Sequence, residues 1–355
     1  MTKVAPNLYF PALKGKAGEL QTLKNAPALA RQAMIPILDL PIDEDSDHAE
    51  VESANLKLAS GLCQSYDATN LVIIDATVTD GVKINGKESI EDLHARLRSD
   101  VAAVPALSVT SSPDFLSAVA AISSEDGNGA CIRLSDTDFS DTGILALNLA
   151  STVSALNLPY GSVDLVLDLG HVDASSATAY AGFIPLLISN LPNVQDWRSL
   201  VVLSGAFPQG LSDLKAYEPR RFTRHDADLW GRIVAASPVR LPSFGDYATS
   251  HPATGATVGF RSAPNIRYTT GDEWYAVKTG LDRVLGNKTF FKIAEQLRGE
   301  TPPIMEPATF SWGDGELRRC ADSTGGPGGG KEWKAWSTSH HLAAVISNLA
   351  TTGAP

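Results

Sequence analysis

The sequence predicts an α/β protein in which eight parallel strands close into a (β/α)8 TIM-like barrel, with a C-terminal hairpin-plus-helix appendage. Three observations predict it. Eight short runs rich in Val, Ile and Leu recur at intervals of roughly 27 to 40 residues, separated by helical patterns, as repeated βα units require. Several runs are apolar throughout instead of alternating, as at residues 71–74 and 164–170, which suits parallel strands covered on both faces. Beyond about residue 250 the alternation stops. An open doubly wound parallel sheet uses the same succession and is the alternative; eight units favour closure.

The eight expected strands are residues 7–12, 34–40, 70–76, 103–109, 130–134, 163–169, 200–204 and 239–244. Between them, Ser89 is a candidate helix cap that places Ile90, Leu93, Leu97 and Val101 on one face. Ser112 followed by Pro113 reads as a cap with proline at the first helical position, where its missing N–H costs nothing. Asp141 precedes the stripe Leu145, Leu149, Val153 and Leu156. Residues 142–163 and 174–195 are uncharged, but Asn148, Pro159 and Gly161 break the first and Pro185 and Pro192 the second, so buried helices explain them better than membrane spans. The barrel is expected over 1–250 and the appendage over 251–355. In the latter, 265–270 and 274–278 predict a hairpin, 288–297 a helix, 325–330 a glycine-rich loop and 340–349 a terminal helix. Trp312, Trp333 and Trp336 should pack this appendage on the barrel.

Composition narrows the function classes. The formal net charge of −11 argues against a dedicated nucleic-acid or anionic-membrane surface, and 43% apolar with 19% charged residues supplies a sizeable core. Cys63, Cys131 and Cys320 lie far apart, which offers neither a CxxC zinc pair nor an even disulfide framework and fits a reducing, cytoplasmic setting. The segment MTKVAPNLYFP lacks the apolar core of a secretion signal. No GxxxxGK[ST], GxGxxG or GxSxG motif occurs.

In a parallel barrel the site forms at the strand C-termini, so the polar residues closing each run are the candidates. These are Lys14 and Lys16 after the first strand, Asp39, Asp75, then Ser108 and Thr110, Arg133, Asp168, Ser204 with Gly205, and Asp246 with Tyr247 after the eighth. Asp39 and Asp168 sit inside apolar runs and need a compensating cation, for which Arg133 is the natural partner. The same charges could form a buried salt-bridge network or a polar ligand site. His340 and His341, placed near a helix start, point about 100° apart, so one at most should face the site; metal binding, proton transfer and packing all stay open for them. Arg267 and Tyr268, opposite Trp274 and Lys278 on the hairpin, could fold over the mouth or serve cross-strand packing. The basic run Arg220, Arg221, Arg224 and His225 reads as a solvated helix face, with phosphate or nucleic-acid contact the minor alternative.

With YFPALKGKAGEL near the start, IPILDLP, SGAFP, GDY and the pair His340–His341, the chain resembles the phage and bacterial "beta protein" family over nearly its whole length. That family more often carries glutamate where this sequence has Asp39. The resemblance implies a prophage- and defence-associated setting without a settled reaction. The residues in its recurring motifs are Tyr9, Lys14, Lys16, Asp39, Gly205, Pro208, Gly245, Asp246, Tyr247, His340 and His341.

The leading expectation is a cytoplasmic barrel enzyme that hydrolyses a phosphoester or glycosidic bond of an anionic or nucleotide-derived small ligand. Asp39, Asp75, Asp168, Asp246, His340 and His341 would be catalytic; Tyr9, Lys14, Lys16, Arg133, Ser204, Gly205, Tyr247, Arg267, Tyr268, Trp274 and Lys278 would bind the ligand. A divalent metal stays open as cofactor. The alternative is a non-catalytic module that recognises a ligand or a phage or host protein. Neither reading involves nucleic acid or a membrane.

Overall fold

In the computed structural model, which describes residues 8–139, 141–253 and 263–355, eight parallel strands form a closed barrel in sequence order. They are Phe10–Leu13, Ile37–Asp39, Leu71–Asp75, Ala102–Leu107, Ala130–Leu134, Val163–His171, Ser199–Gly205 and Ser243–Asp246. The seam closes where Phe10 aligns with Gly245 and Pro11 with Asp246. The open-sheet alternative is thereby set aside. Each expected strand is present, although Asn7 lies outside the described residues. The eighth strand begins four residues later than expected, at Ser243. Pro238 and Pro242 lack the N–H that a ladder needs, which keeps the intervening Val239 and Leu241 out of the sheet and exposed.

Alternation along each strand separates two cores. Phe10, Ala12, Ile37, Ile73, Val104, Ala106, Cys131, Val166, Val201 and Leu203 point into the barrel, where their side chains fill it in layers. Their neighbours, including Leu38, Val72, Ile74, Leu107, Ile132, Leu165, Leu167 and Val202, face the surrounding helices. Those helices start and stop as the side chains dictate. Ser112 accepts a bond from the Phe115 amide with Pro113 at the first position, and Asp141 accepts from the amides of Gly143 and Ile144. The helix Ser89–Leu97 starts at the expected cap residue itself, with Glu88 in the cap position instead. Helices Thr142–Leu156 and Ala174–Asn190 bury only one stripe each; Leu147 and Leu186 are exposed. They are therefore surface helices, a correction to the reading of both as buried. Among the described residues, no helix is long and apolar enough to cross a membrane.

The hairpin Asn265–Thr270 and Glu273–Lys278 forms as expected, but it gains a third strand, Arg220–Thr223, paired antiparallel to Glu273–Lys278. The basic run is thus a strand edge followed by a buried Arg224, not a helix face. Phe222, packed against Phe207, and the free hairpin edge override the local charge pattern. A second core gathers Ile266, Tyr268, Phe290, Leu317, Trp333 and Trp336, while Trp274, Leu342, Val345 and Leu349 join the barrel's outer core. The terminal helix runs Gly330–Thr351, ten residues longer at its start than expected. Burial of Trp333 and Trp336 outweighs the poor helix propensity of the glycines before them.

Candidate functional site

The alternation that fills the barrel also builds its mouth. Two residues beyond an inward apolar side chain comes the next inward position, so Ile37 leads to Asp39, Ile73 to Asp75, Ala106 to Ser108, Cys131 to Arg133 and Val166 to Asp168. These five side chains, with Thr77, Glu44, Ser135 and Pro252, line a cavity of about 490 Å³ at the strand C-termini. Tyr247, two beyond Gly245, reaches the same group of side chains through Arg133 and Asp168.

Arg133 organises this mouth. Its Nη1 donates to Asp39 Oδ1 and to Asp75 Oδ2, both at 2.7 Å; Nε donates to Asp168 Oδ2 at 2.9 Å; Nη2 donates to the Tyr247 hydroxyl at 2.9 Å. The Tyr247 hydroxyl donates in turn to Asp168 Oδ2 at 2.5 Å. Each guanidinium nitrogen is thereby engaged, and its charge meets three carboxylates, not one. The remaining oxygens differ. Asp75 Oδ1 accepts from the Thr77 hydroxyl (2.6 Å) and amide (3.0 Å), and Asp168 Oδ1 from the Gly170 amide (2.9 Å). Among the described residues, no donor reaches Oδ2 of Asp39.

The electrostatics follow this inequality. Burial pushes the Asp39 carboxyl up to about 6, against the pull of Arg133 and with help from Asp75. Burial acts on Asp75 too, but Arg133 and the two Thr77 donors outweigh it and hold that carboxyl below its usual range. Arg133 is itself held well above its ordinary value: burial opposes its charge, and the surrounding acids prevail. A divalent ion on these carboxylates would have to displace the guanidinium they share. Among the described residues, no group of three His, Cys, Asp or Glu side chains is arranged to hold a metal.

A cationic rim stands beside the mouth. Lys14 donates to the Ala253 carbonyl (2.5 Å), Arg267 to the Thr249 carbonyl (2.6 Å), and Lys334 to the hydroxyls of Ser250 (2.5 Å) and Thr249 (3.1 Å). Lys16 adds a fourth charge, and Glu19 stands 3.8 Å from Lys334. Burial lowers Lys334 to about 7, with Arg267, Lys14 and Lys16 adding to the effect against Glu19. Gly205 is a spacing requirement: a Cβ there would lie 2.9 Å from both Pro252 and Tyr247.

The other expected residues lie elsewhere. Asp246 has the opposite parity to Tyr247, so it faces outward into a fully buried cluster behind the barrel wall. There it accepts from Tyr9, from the Ala248 amide (2.9 Å) and from Arg224 (3.4 Å), and it meets His341 Nε2 at 2.8 Å. Trp274 lies under Arg224 and stacks on His341. Burial alone would raise Asp246, yet His341, Arg224 and Tyr9 hold it low. Beside it, burial drives Asp226 up to about 7. His340 diverges from His341 as helical geometry requires, bonding Asp314 (3.0 Å) and the Thr269 carbonyl (2.9 Å) and stacking on Tyr268 at 3.6 Å. Both histidines sit mid-helix, not at a helix start. Ser204 is buried with outward parity, and Lys278 donates to the Ser212 carbonyl. The mouth therefore collects Asp39, Asp75, Arg133, Asp168 and Tyr247; the rim collects Lys14, Lys16 and Arg267; Asp246, Tyr9, Ser204, Tyr268, Trp274, Lys278, His340 and His341 belong to neither.

Sequence reasoning missed Thr77 and Lys334. An Asp-x-Thr turn after a strand was a readable signal for the first. Lys334 had none, because its helix was expected to begin after it.

An eight-stranded all-parallel βα barrel with a polar mouth is the class that fold and site define. A family model described as Beta protein matches residues 9–347, and the chain belongs to that family. No curated protein matches the sequence.

Proposed function

We propose that the mouth binds a polar small molecule and that Asp39 acts on it as general acid and base, in hydrolysis of a phosphoester or glycosidic bond. The observation that supports this reading best is the inequality among the three carboxylates. Asp75 and Asp168 spend both oxygens on protein donors, whereas Asp39 keeps Oδ2 free in the cavity and titrates near 6. A group that exchanges its proton near the working pH is suited to proton transfer. Arg133 holds Asp39 in place and moderates its charge.

The test is a screen of wild type and Asp39→Asn against sugar phosphates, nucleotides and glycosides, measuring released phosphate or reducing sugar. Expected is turnover by wild type with an ionisation near pH 6, and loss of turnover in Asp39→Asn with binding retained. A second reading, non-catalytic recognition of a ligand or of a phage or host protein, is favoured by the saturation of Arg133 with protein acceptors. Ligand binding without turnover by wild type would select it.

A further inference from the structure

The cations beside the mouth exceed what their neighbours require. Lys14, Arg267 and Lys334 donate to carbonyls and hydroxyls of the 249–253 strap, acceptors that neutral donors would serve equally well. Four basic side chains, with Lys16, converge from three distant parts of the chain: the loop after the first strand, the hairpin and the terminal helix. Glu19 is the carboxylate within ion-pair distance of Lys334. Like charges gathered in a partly buried place repel one another and resist desolvation, and an anion among them relieves both. Burial lowers both Lys334 and Arg267, and for Lys334 the neighbouring cations add to it. The strap that these cations grip also supplies Pro252 to the cavity wall, so the rim and the acidic mouth adjoin.

From this geometry we infer that Lys14, Lys16, Arg267 and Lys334, with the Ser250 hydroxyl, form a subsite for a phosphoryl group, and that the ligand of the mouth is a phosphorylated one whose remaining polar part extends toward Asp39. The inference deepens the proposed function and rests on the mouth being a ligand site, but its anion-binding half stands by itself. Lysines and a guanidinium gathered along one short strap that also carries hydroxyls offer a tetrahedral dianion several charge-assisted bonds at once. The acids of the mouth repel a dianion, which orients the ligand.

The experiment titrates the full chain with inorganic phosphate and with a nucleoside 5′-monophosphate at constant ionic strength set by sodium chloride, read by calorimetry and phosphorus NMR. Wild type is expected to bind both saturably. Lys334→Met and Lys14→Met should each weaken binding at least tenfold, while Lys331→Met, which removes an exposed charge from the same helix, should not. Thermal melts establish that the variants are folded. Asp39→Asn should retain phosphate binding even if it abolishes turnover, which separates failure of this inference from failure of the catalytic reading. Tighter binding of the monophosphate than of phosphate supports a phosphate ester as ligand; equal binding points to free phosphate. No saturable binding by wild type beyond the chloride control, or undiminished binding by folded Lys334→Met and Lys14→Met, would overturn it.

Discussion

The two ends of the barrel each hold an arginine among aspartates, and they treat it differently. At the N-terminal end Arg198 meets Asp164 through two bonds of 2.9 and 2.5 Å; Ser199 donates to the same carboxylate at 2.7 Å, and side-chain exposure is 2% and 0%. One charge answers one charge and the place is sealed. At the mouth one guanidinium answers three carboxylates, whose exposures of 9 to 16% open onto a cavity. A matched pair compensates itself, while an outnumbered cation leaves one acid, Asp39, with its carboxyl raised to about 6. The bottom of the barrel is closed off from water, and the top opens onto it.

Breaking the matched pair should have the largest effect. Arg198→Leu strands a buried carboxylate and is expected to cost about 3–5 kcal/mol in chemical denaturation. Adding Asp164→Leu should recover most of it; no recovery would mean that Arg198 acts through packing. Arg133→Met comes next, at about 2–4 kcal/mol at pH 8, because three carboxylates then face one another. Part of that loss should return at pH 5 as carboxyls take up protons, and a pH-independent loss would contradict the account of the mouth.

Asp39→Asn sharpens the contrast through pH. Folded Asp39 keeps its proton to about pH 6, whereas an unfolded aspartate releases it near its ordinary value of 3.8. Between those values the folded state binds more protons, so stability falls as pH rises, and the full penalty is present above about 6. Asp39→Asn removes that slope. Its stability relative to wild type should grow by about 2–3 kcal/mol between pH 4 and pH 8 in denaturant titrations. The smallest effect is expected for Tyr247→Phe, which removes one hydroxyl that accepts from Arg133 and donates to Asp168, at about 1 kcal/mol.

Much of this architecture was legible in the chain because it is written in periodicity. Apolar runs announced all eight strands, and a charge embedded in such a run, as at Asp39 and Asp168, announced the need for Arg133. Parity was the signal left unused. Counting by twos from the inward residues separates Tyr247 from Asp246 and Lys14 from Tyr9, and it would have sent Asp246 and Tyr9 to the rear cluster. Lys334 and the third strand at 220–223 were beyond reach, since both depend on which distant surface offers a partner. His341 shows the same limit: its place opposite Asp246 is set by how a helix docks on the barrel, for which local spacing carries no record.

The partners of Arg133 also lie at unequal distances along the chain, 94 and 58 residues before it and 35 and 114 after it. On a ribosome, which delivers the N-terminal part first, the guanidinium would emerge to find two carboxylates already waiting, receive the third soon afterwards and acquire the phenol last. Tyr247 belongs to the segment that closes the ring, so its arrival marks the moment at which a growing sheet becomes a vessel.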